Sequence, residues 1–174
     1  NGSWEEFFSE VLWFSRQKFA RKILVPGNHE RCVERDPNLA REYCREHDVE
    51  LAIDKLVHLS DSVTMFCSPW SAVFRPSVWA YHWTDQADAH YKTTKIPYCD
   101  ILVTHGPPKG ILSFTPGLRD EEEEIVDLGC PWYLNAVKRI KPRYHFLGHV
   151  HASASDRPHT VDWSEDHWTH FVNV

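Results

Sequence analysis

Apolar residues first recur at helical spacing at Trp4, Phe7, Phe8, Val11 and Leu12, which predicts an amphipathic helix from Ser3 to about Phe19 with Ser3 and Glu6 as its capping box. The pattern then condenses into Lys22-Ile23-Leu24-Val25, a short strand stopped by Pro26-Gly27. Asp36 and Pro37 supply the N-cap and first-turn proline of a second helix whose inner face carries Ala40, Tyr43 and Cys44. From Leu51 to Trp70 the chain is β-rich, with strands expected at Leu56–Leu59 and Val63–Cys67. Residues 70–96 mix aromatic and polar groups without a clean period and read as an irregular excursion. Ile101-Leu102-Val103 is another buried strand. Tyr133, Ala136, Val137 and Ile140 then mark a helix that Pro131 opens, Lys138, Arg139 and Lys141 complement at its negative end, and Pro142 stops. Tyr144–Leu147 is a strand, and residues 160–174 form a final hairpin. Strands alternating with helices, without repeats or a linker-like stretch, predict one α/β domain over residues 1–174.

Composition supports an ordinary packed core: 42% of the 174 residues are hydrophobic and no apolar run is long enough to span a membrane. A net charge of −6 weakens any reading as a polyanion-binding surface, although a local basic groove would survive it, and nucleic acid is not an expected partner. The five cysteines, Cys32, Cys44, Cys67, Cys99 and Cys130, are scattered and odd in number. They read as buried thiols of a reducing, cytoplasmic compartment rather than as a disulfide frame or a cysteine zinc site. Cys130 opens a helix, where a thiolate is favoured, but an inert buried thiol is the expectation. Glu121 to Glu124 read as a solvated acidic run and most of the eight tryptophans as packing residues, with the Val78–Trp83 cluster a candidate substrate rim.

The twelve histidines carry the chemistry. Three apolar strands each run directly into a polar loop bearing histidine: Gly27-Asn28-His29-Glu30, Thr104-His105-Gly106-Pro107-Pro108, and Gly148-His149-Val150-His151. Loops at the carboxyl ends of strands gather along one edge of an α/β sheet, so Asn28, His29, His105, His149 and His151 should converge there. His149 and His151 would share a side if their segment is extended. Imidazoles beside an amide oxygen suit borderline divalent cations such as Mn, Fe, Zn or Ni. Gly27, Gly106 and Gly148 fit sharp turns or close approaches, and Pro107-Pro108 stiffens its loop. A fixed tetrad such as Gly-Asn-His-Glu arises by chance in about one chain in a thousand of this length, and the ordered set of three loops far more rarely. His82, His90, His159, His167 and His170 follow no such strand and receive no role.

These three loops resemble the third, fourth and fifth signature blocks of the calcineurin-like metallophosphoesterases. Ser68-Pro69-Trp70, the run from Gly129-Cys130 through Pro142 to Gly148-His149, and the closing Phe171-Val172-Asn173 are similar to the small eukaryotic metallophosphoesterase-domain proteins, and the resemblance covers the chain except about 71–96. It implies a four-layer αββα sandwich, here lacking its first strand or strands, and two divalent metal ions (Mn, Fe, Zn or Mg) in the complete domain. Asn28, His105 and His149 would ligate the second metal, His151 would complete the first, and His29 would be the catalytic proton donor. The implied activity is metal-dependent phosphoester hydrolysis by metal-bound hydroxide, more in the manner of a phosphodiesterase than of a protein phosphatase, on a small phosphoester and with no membrane partner.

The family's first two blocks, an Asp-x-His and a Gly-Asp whose carboxylate bridges both metals, do not occur in the chain. The chain also opens on Asn1-Gly2-Ser3 without an initiator, its only methionine being Met65. The expectation is an N-terminally truncated domain that binds one metal weakly or none and is inactive as written; composition alone would allow Asp54 or Asp61 to replace the bridging carboxylate, but nothing in the sequence places either at the site. A catalytically silent phosphate- or nucleotide-binding module is the alternative, and a mononuclear metal-binding protein a third reading.

Overall fold

Ser3 caps the first helix as its sequence dictates: its hydroxyl accepts from the Glu6 amide at 3.2 Å, while the Glu6 carboxylate accepts from the Ser3 amide at 3.3 Å. In this computed structural model, which describes residues 2–73, 79–116, 125–154, 157–164 and 166–174, that helix is α1, Trp4–Ser15. It is shorter than its pattern suggested, because Ser15 and Lys18 stand where the apolar stripe would continue and Phe19 is left exposed. The strand β1 (Ile23–Leu24) leads through the Gly27–Glu30 loop into a short helix, α2 (Arg31–Arg35), and then α3 (Pro37–Glu46). Asp36 caps α3 by accepting from the Leu39 amide at 3.0 Å, with Pro37 in its first turn. Next come β2 (Glu50–Leu51), β3 (Lys55–His58) and β4 (Thr64–Ser68).

The expected irregular excursion is more ordered than its sequence indicated. It holds β5 (Ser71–Ala72), β6 (His82–Trp83) and the helix α4 (Gln86–Thr94), while residues 74–78 lie outside the described residues. Asp85 caps α4 through the Ala87 amide at 2.8 Å. The residues α4 buries are Ala89 and Thr93, one small and one polar, so no hydrophobic period betrayed it. Then follow β7 (Ile101–Thr104), an antiparallel pair of β8 (Phe114–Pro116) and β9 (Ile125–Asp127) that the sequence pattern did not announce, α5 (Pro131–Ile140), β10 (Tyr144–Leu147), and the terminal pair β11 (His159–Ser164) and β12 (His167–Asn173). Lys141 ends α5 in the left-handed region at φ 50°, just before Pro142. The acidic run Glu121–Glu124 lies outside the described residues.

A six-stranded mixed sheet, in the order β11-β12-β10-β7-β4-β3, forms the centre, with β4, β7, β10 and β12 parallel and β3 and β11 antiparallel at the edges. One face, through Phe66, Leu102, Leu147 and Phe171, packs on α4 and α5, whose Tyr133, Ala136, Val137 and Ile140 are buried as their spacing required. The other face presents Cys67, Met65 and Val103 to Ile23 of the small parallel sheet β1-β2 and to Val25 and Ala52, which directly follow its two strands. The far side of that small sheet, through Leu24 and Leu51, lies under Phe7 and Val11 of α1 and Ala40 and Cys44 of α3. The layers therefore run α, β, β, α, the sandwich the family resemblance implied, with two strands in the second sheet among the described residues. All five cysteines are free and buried, and burial raises the Cys130 thiol despite its place at the start of α5. No helix among the described residues is long and apolar enough to cross a membrane.

Candidate functional site

Asn28 follows β1, His105 follows β7 and His149 follows β10, so the parallel strands deliver all three side chains to the carboxyl edge of the sandwich. They meet there. His105 Nε2 lies 2.8 Å from Asn28 Oδ1 and 3.1 Å from His149 Nδ1. An amide oxygen can only accept, so Nε2 carries the hydrogen, and the lone pairs of Asn28 and His149 both face it. Two sheets are joined at this point, since Asn28 belongs to the small sheet and the histidines to the large one.

The surrounding backbone fixes the cluster. The Gly27 amide donates to Glu30 Oε2 at 2.5 Å, closing the first loop on itself and giving the last residue of the tetrad a structural task. A Cβ on Gly27 would stand 2.5 Å from the His105 ring, so only glycine lets that ring approach. Gly106 is similarly confined, 2.7 Å from Ser71, whereas a Cβ on Gly148 would meet nothing closer than 3.6 Å. At the third loop the turn is instead taken by His149 itself, at φ 69°. The expectation that His149 and His151 share one side of an extended segment is therefore corrected: the left-handed residue and a 3-10 turn at His151–Ser153 break the alternation. His105 and Gly148 are tied by the Gly148 amide donating to the His105 carbonyl at 3.0 Å, and Asn173 near the chain's end holds the Val150 carbonyl at 2.8 Å.

Burial first, and then the neighbouring His149, pushes the His105 imidazole down to about 3. Burial and then His82 bring His149 to about 4. Both rings are therefore neutral at pH 7, each with one nitrogen lone pair. His29 is exposed, its ring 4.7 Å edge-on to Trp79, and His151 is exposed at the start of its turn. Both stand close enough for their charge to bear on His105 and His149. The structure thus brings Asn28, His105 and His149 into direct contact and leaves His29 and His151 at the rim.

His82 has no role in the sequence pattern, yet it is buried on β6 with its ring 6.2 Å edge-on to His149. Its strand is only two residues long and lies in the aperiodic segment, so nothing in the pattern marked it. Tyr81 before it stands at φ 49°, and the Ala80 amide donates to the Asn28 carbonyl at 2.9 Å, so the excursion is pinned against the site. A second omission is His145, buried in β10. Thr104 Oγ1 donates to the Gly106 carbonyl at 2.6 Å and so must accept from His145 Nε2 at 2.8 Å, a chain that braces the loop carrying His105.

Asp54 does not supply the missing carboxylate. Its two oxygens accept from Ser68 Oγ at 2.7 Å and Trp70 Nε1 at 2.8 Å, and Tyr133 donates to Ser68 at 2.9 Å. Asp61 sits in the turn between β3 and β4, on the opposite edge of the sheet. Among the described residues, no group of three or more His, Cys, Asp or Glu side chains is arranged to hold a metal ion. The donor set that does converge, two neutral imidazoles and one amide oxygen, fits a single borderline divalent cation and carries no charge to balance a second.

No family profile matches the chain. A human protein named Metallophosphoesterase domain-containing protein 1 is 28% identical over 161 residues, covering 80% of this chain and 47% of its own length. A Caenorhabditis elegans protein named UPF0046 protein C25E10.12 is 31% identical over 145 residues, covering 75% of this chain and 49% of its own. The chain spans about half the length of the curated relatives it matches. A solved crystal structure superposes on 97% of the chain, and on 64% of its own, with a TM-score of 0.63 at 13% identity, a likeness of fold.

Proposed function

We propose that this relative of the metallophosphoesterase-domain proteins forms the carboxyl-edge half of a phosphoester hydrolase site, acting on a small phosphodiester in the complete domain. The observation that carries the reading is the contact of His105 Nε2 with both Asn28 Oδ1 and His149 Nδ1, at the strand ends where the fold gathers ligands. Asn28, His105 and His149 would hold one divalent cation and His151 would contribute to a neighbouring one. Bound cations supply Lewis-acid neutralisation of the charge on the phosphoryl oxygens.

The chain's own residues do the rest. Burial keeps His105 and His149 in the neutral form, so each ring keeps one nitrogen lone pair rather than a positive charge at neutral pH. His29, exposed at the mouth and steadied against the edge of Trp79, gives its proton to the leaving alkoxide oxygen. The free, buried cysteines suit a reducing, cytoplasmic setting. In the full-length protein, His29→Ala and His105→Ala should each abolish Mn-stimulated hydrolysis of bis(p-nitrophenyl) phosphate, and unchanged turnover in both variants would sink the proposal.

One observation favours a second reading, a silent phosphate- or nucleotide-binding module: no group of three or more His, Cys, Asp or Glu able to hold a metal occurs among the described residues. The two readings separate in the same assay. A silent module binds inorganic phosphate at the histidine cluster, and shows no turnover in the full-length protein at any Mn concentration.

A further inference from the structure

A second cleft, of 620 Å³, opens at the other end of the small sheet. Lys22 lies just ahead of β1, and Val49 and Glu50 stand at the start of the parallel β2, so this cleft sits at the amino-terminal edge while Asn28 marks the carboxyl-terminal one. Its walls carry Arg21, Lys22, Arg41, Arg45 and Lys55 against two acids, Asp48 and Glu50. That is a local excess of positive charge in a chain whose 25 acidic residues outnumber its 19 basic ones.

Glu50 is already committed. Its Oε2 takes Arg21 at 2.7 and 3.2 Å, and its Oε1 takes Lys55 at 2.9 Å. Arg21 also donates to the His58 carbonyl, so one guanidinium is fixed at the cleft before any ligand arrives. Arg41 and Arg45, one turn apart on α3, have weak partners among the described residues: Arg41 donates to Asn38 Oδ1 at 3.2 Å, and Arg45 reaches Glu42 at 4.0 Å. The carboxyl end of α3 nearby accounts for about half a unit of positive charge, which leaves most of the excess unbalanced.

We infer that this cleft is a binding site for a small, multiply charged phosphate anion, held by Arg41 and Arg45 against the fixed Arg21. Planar guanidinium forks match phosphate oxygens in pairs, and a cleft of this size admits an anion carrying several phosphates. The same chemistry is offered by a free polyphosphorylated metabolite and by a phosphoinositide headgroup. The inference is independent of the histidine cluster, which lies beyond the opposite edge of β1.

The test is titration calorimetry of the full-length protein with inorganic tripolyphosphate. One site is expected, weakening steeply between about 50 and about 200 mM salt. The exposed double variant Arg41→Gln/Arg45→Gln keeps good helix formers on α3 and should lose at least about tenfold in affinity. His105→Ala should leave that binding intact. Flotation with vesicles of phosphatidylcholine, with and without a phosphoinositide, assigns the source: capture by phosphoinositide vesicles that tripolyphosphate reverses identifies the headgroup, and binding of soluble tripolyphosphate alone identifies a free anion. No binding by either probe, affinity unchanged in the double arginine variant, or binding lost in His105→Ala would each overturn the inference.

Discussion

At the scale of single residues the candidate site depends on one missing side chain as much as on those present. Gly27 gives up its Cβ so that the His105 ring can lie against the backbone beside Asn28, with the nearest ring atoms 2.5 Å from where that carbon would be. Gly27→Ala should push the ring aside and break its contacts with Asn28 and His149. In the full-length protein, Mn affinity measured by calorimetry should fall about 10–100-fold. Stability should drop by about 1–3 kcal/mol, the usual cost of overpacking. An affinity within twofold of the parent would show that no cation is held there. The residues of this cluster were legible in the sequence because each sits directly after an apolar strand. His82 was not, since its strand is too short and its neighbours too aperiodic to show, and Asp54 carried no sign that Ser68 and Trp70 would claim both its oxygens.

At the scale of elements, β7 and β10 are joined by more than their ladder. The His145 imidazole, buried between Thr104 and Phe171, bonds the threonine that in turn holds the Gly106 carbonyl, so strand β10 braces the loop leaving β7. Burial pushes His145 down to about 3, against about 6.5 in an unfolded chain. Between those values the unfolded state binds the extra proton, so folding stability is full above about pH 6.5 and falls by about 1.4 kcal/mol per unit as pH drops toward 3. At pH 5 His145 alone should cost about 2 kcal/mol. Urea unfolding at pH 7 and pH 5 should show this loss, and His145→Gln, which keeps a donor for Thr104 but no titrating group, should remove about that much of it. An identical pH dependence in the variant would refute the buried-neutral account. Elements with a strong period, α1, α3, α5 and the central strands, could be read from apolar spacing. The helix α4 could not, because its inner residues Ala89 and Thr93 give no contrast, although Asp85 as a cap was a usable signal.

At the scale of the whole molecule the cluster is a joint between layers. Asn28 hangs from the small sheet that α1 and α3 cover, while His105 and His149 hang from the large sheet that α4 and α5 cover. Between the two sheets lies a thin apolar seam of Ile23, Val25 and Ala52 against Met65, Cys67, Val57 and Val103. The small sheet has only two paired residues per strand among the described residues, so its hold on the large sheet depends on that seam, on the loops at its carboxyl edge, and on the Glu50–Lys55 and Arg21–His58 contacts to β3 at the other edge. A divalent cation held by donors from both sides would bind the assembled sandwich and not the separated layers, and would stabilise it by mass action. With free Mn at about a hundred times its dissociation constant the gain is about 2.7 kcal/mol. The thermal midpoint should therefore rise with added Mn and return on chelation. Hydrogen exchange should slow first at the Glu50 and Ala52 amides, which bond the Lys22 and Leu24 carbonyls of the small sheet. Asn28→Ala should abolish both effects while leaving the exchange of β7 and β10 unchanged. A midpoint that rises equally in Asn28→Ala would mean that the cation is held by the large sheet alone, and that the joint between the layers is made by packing.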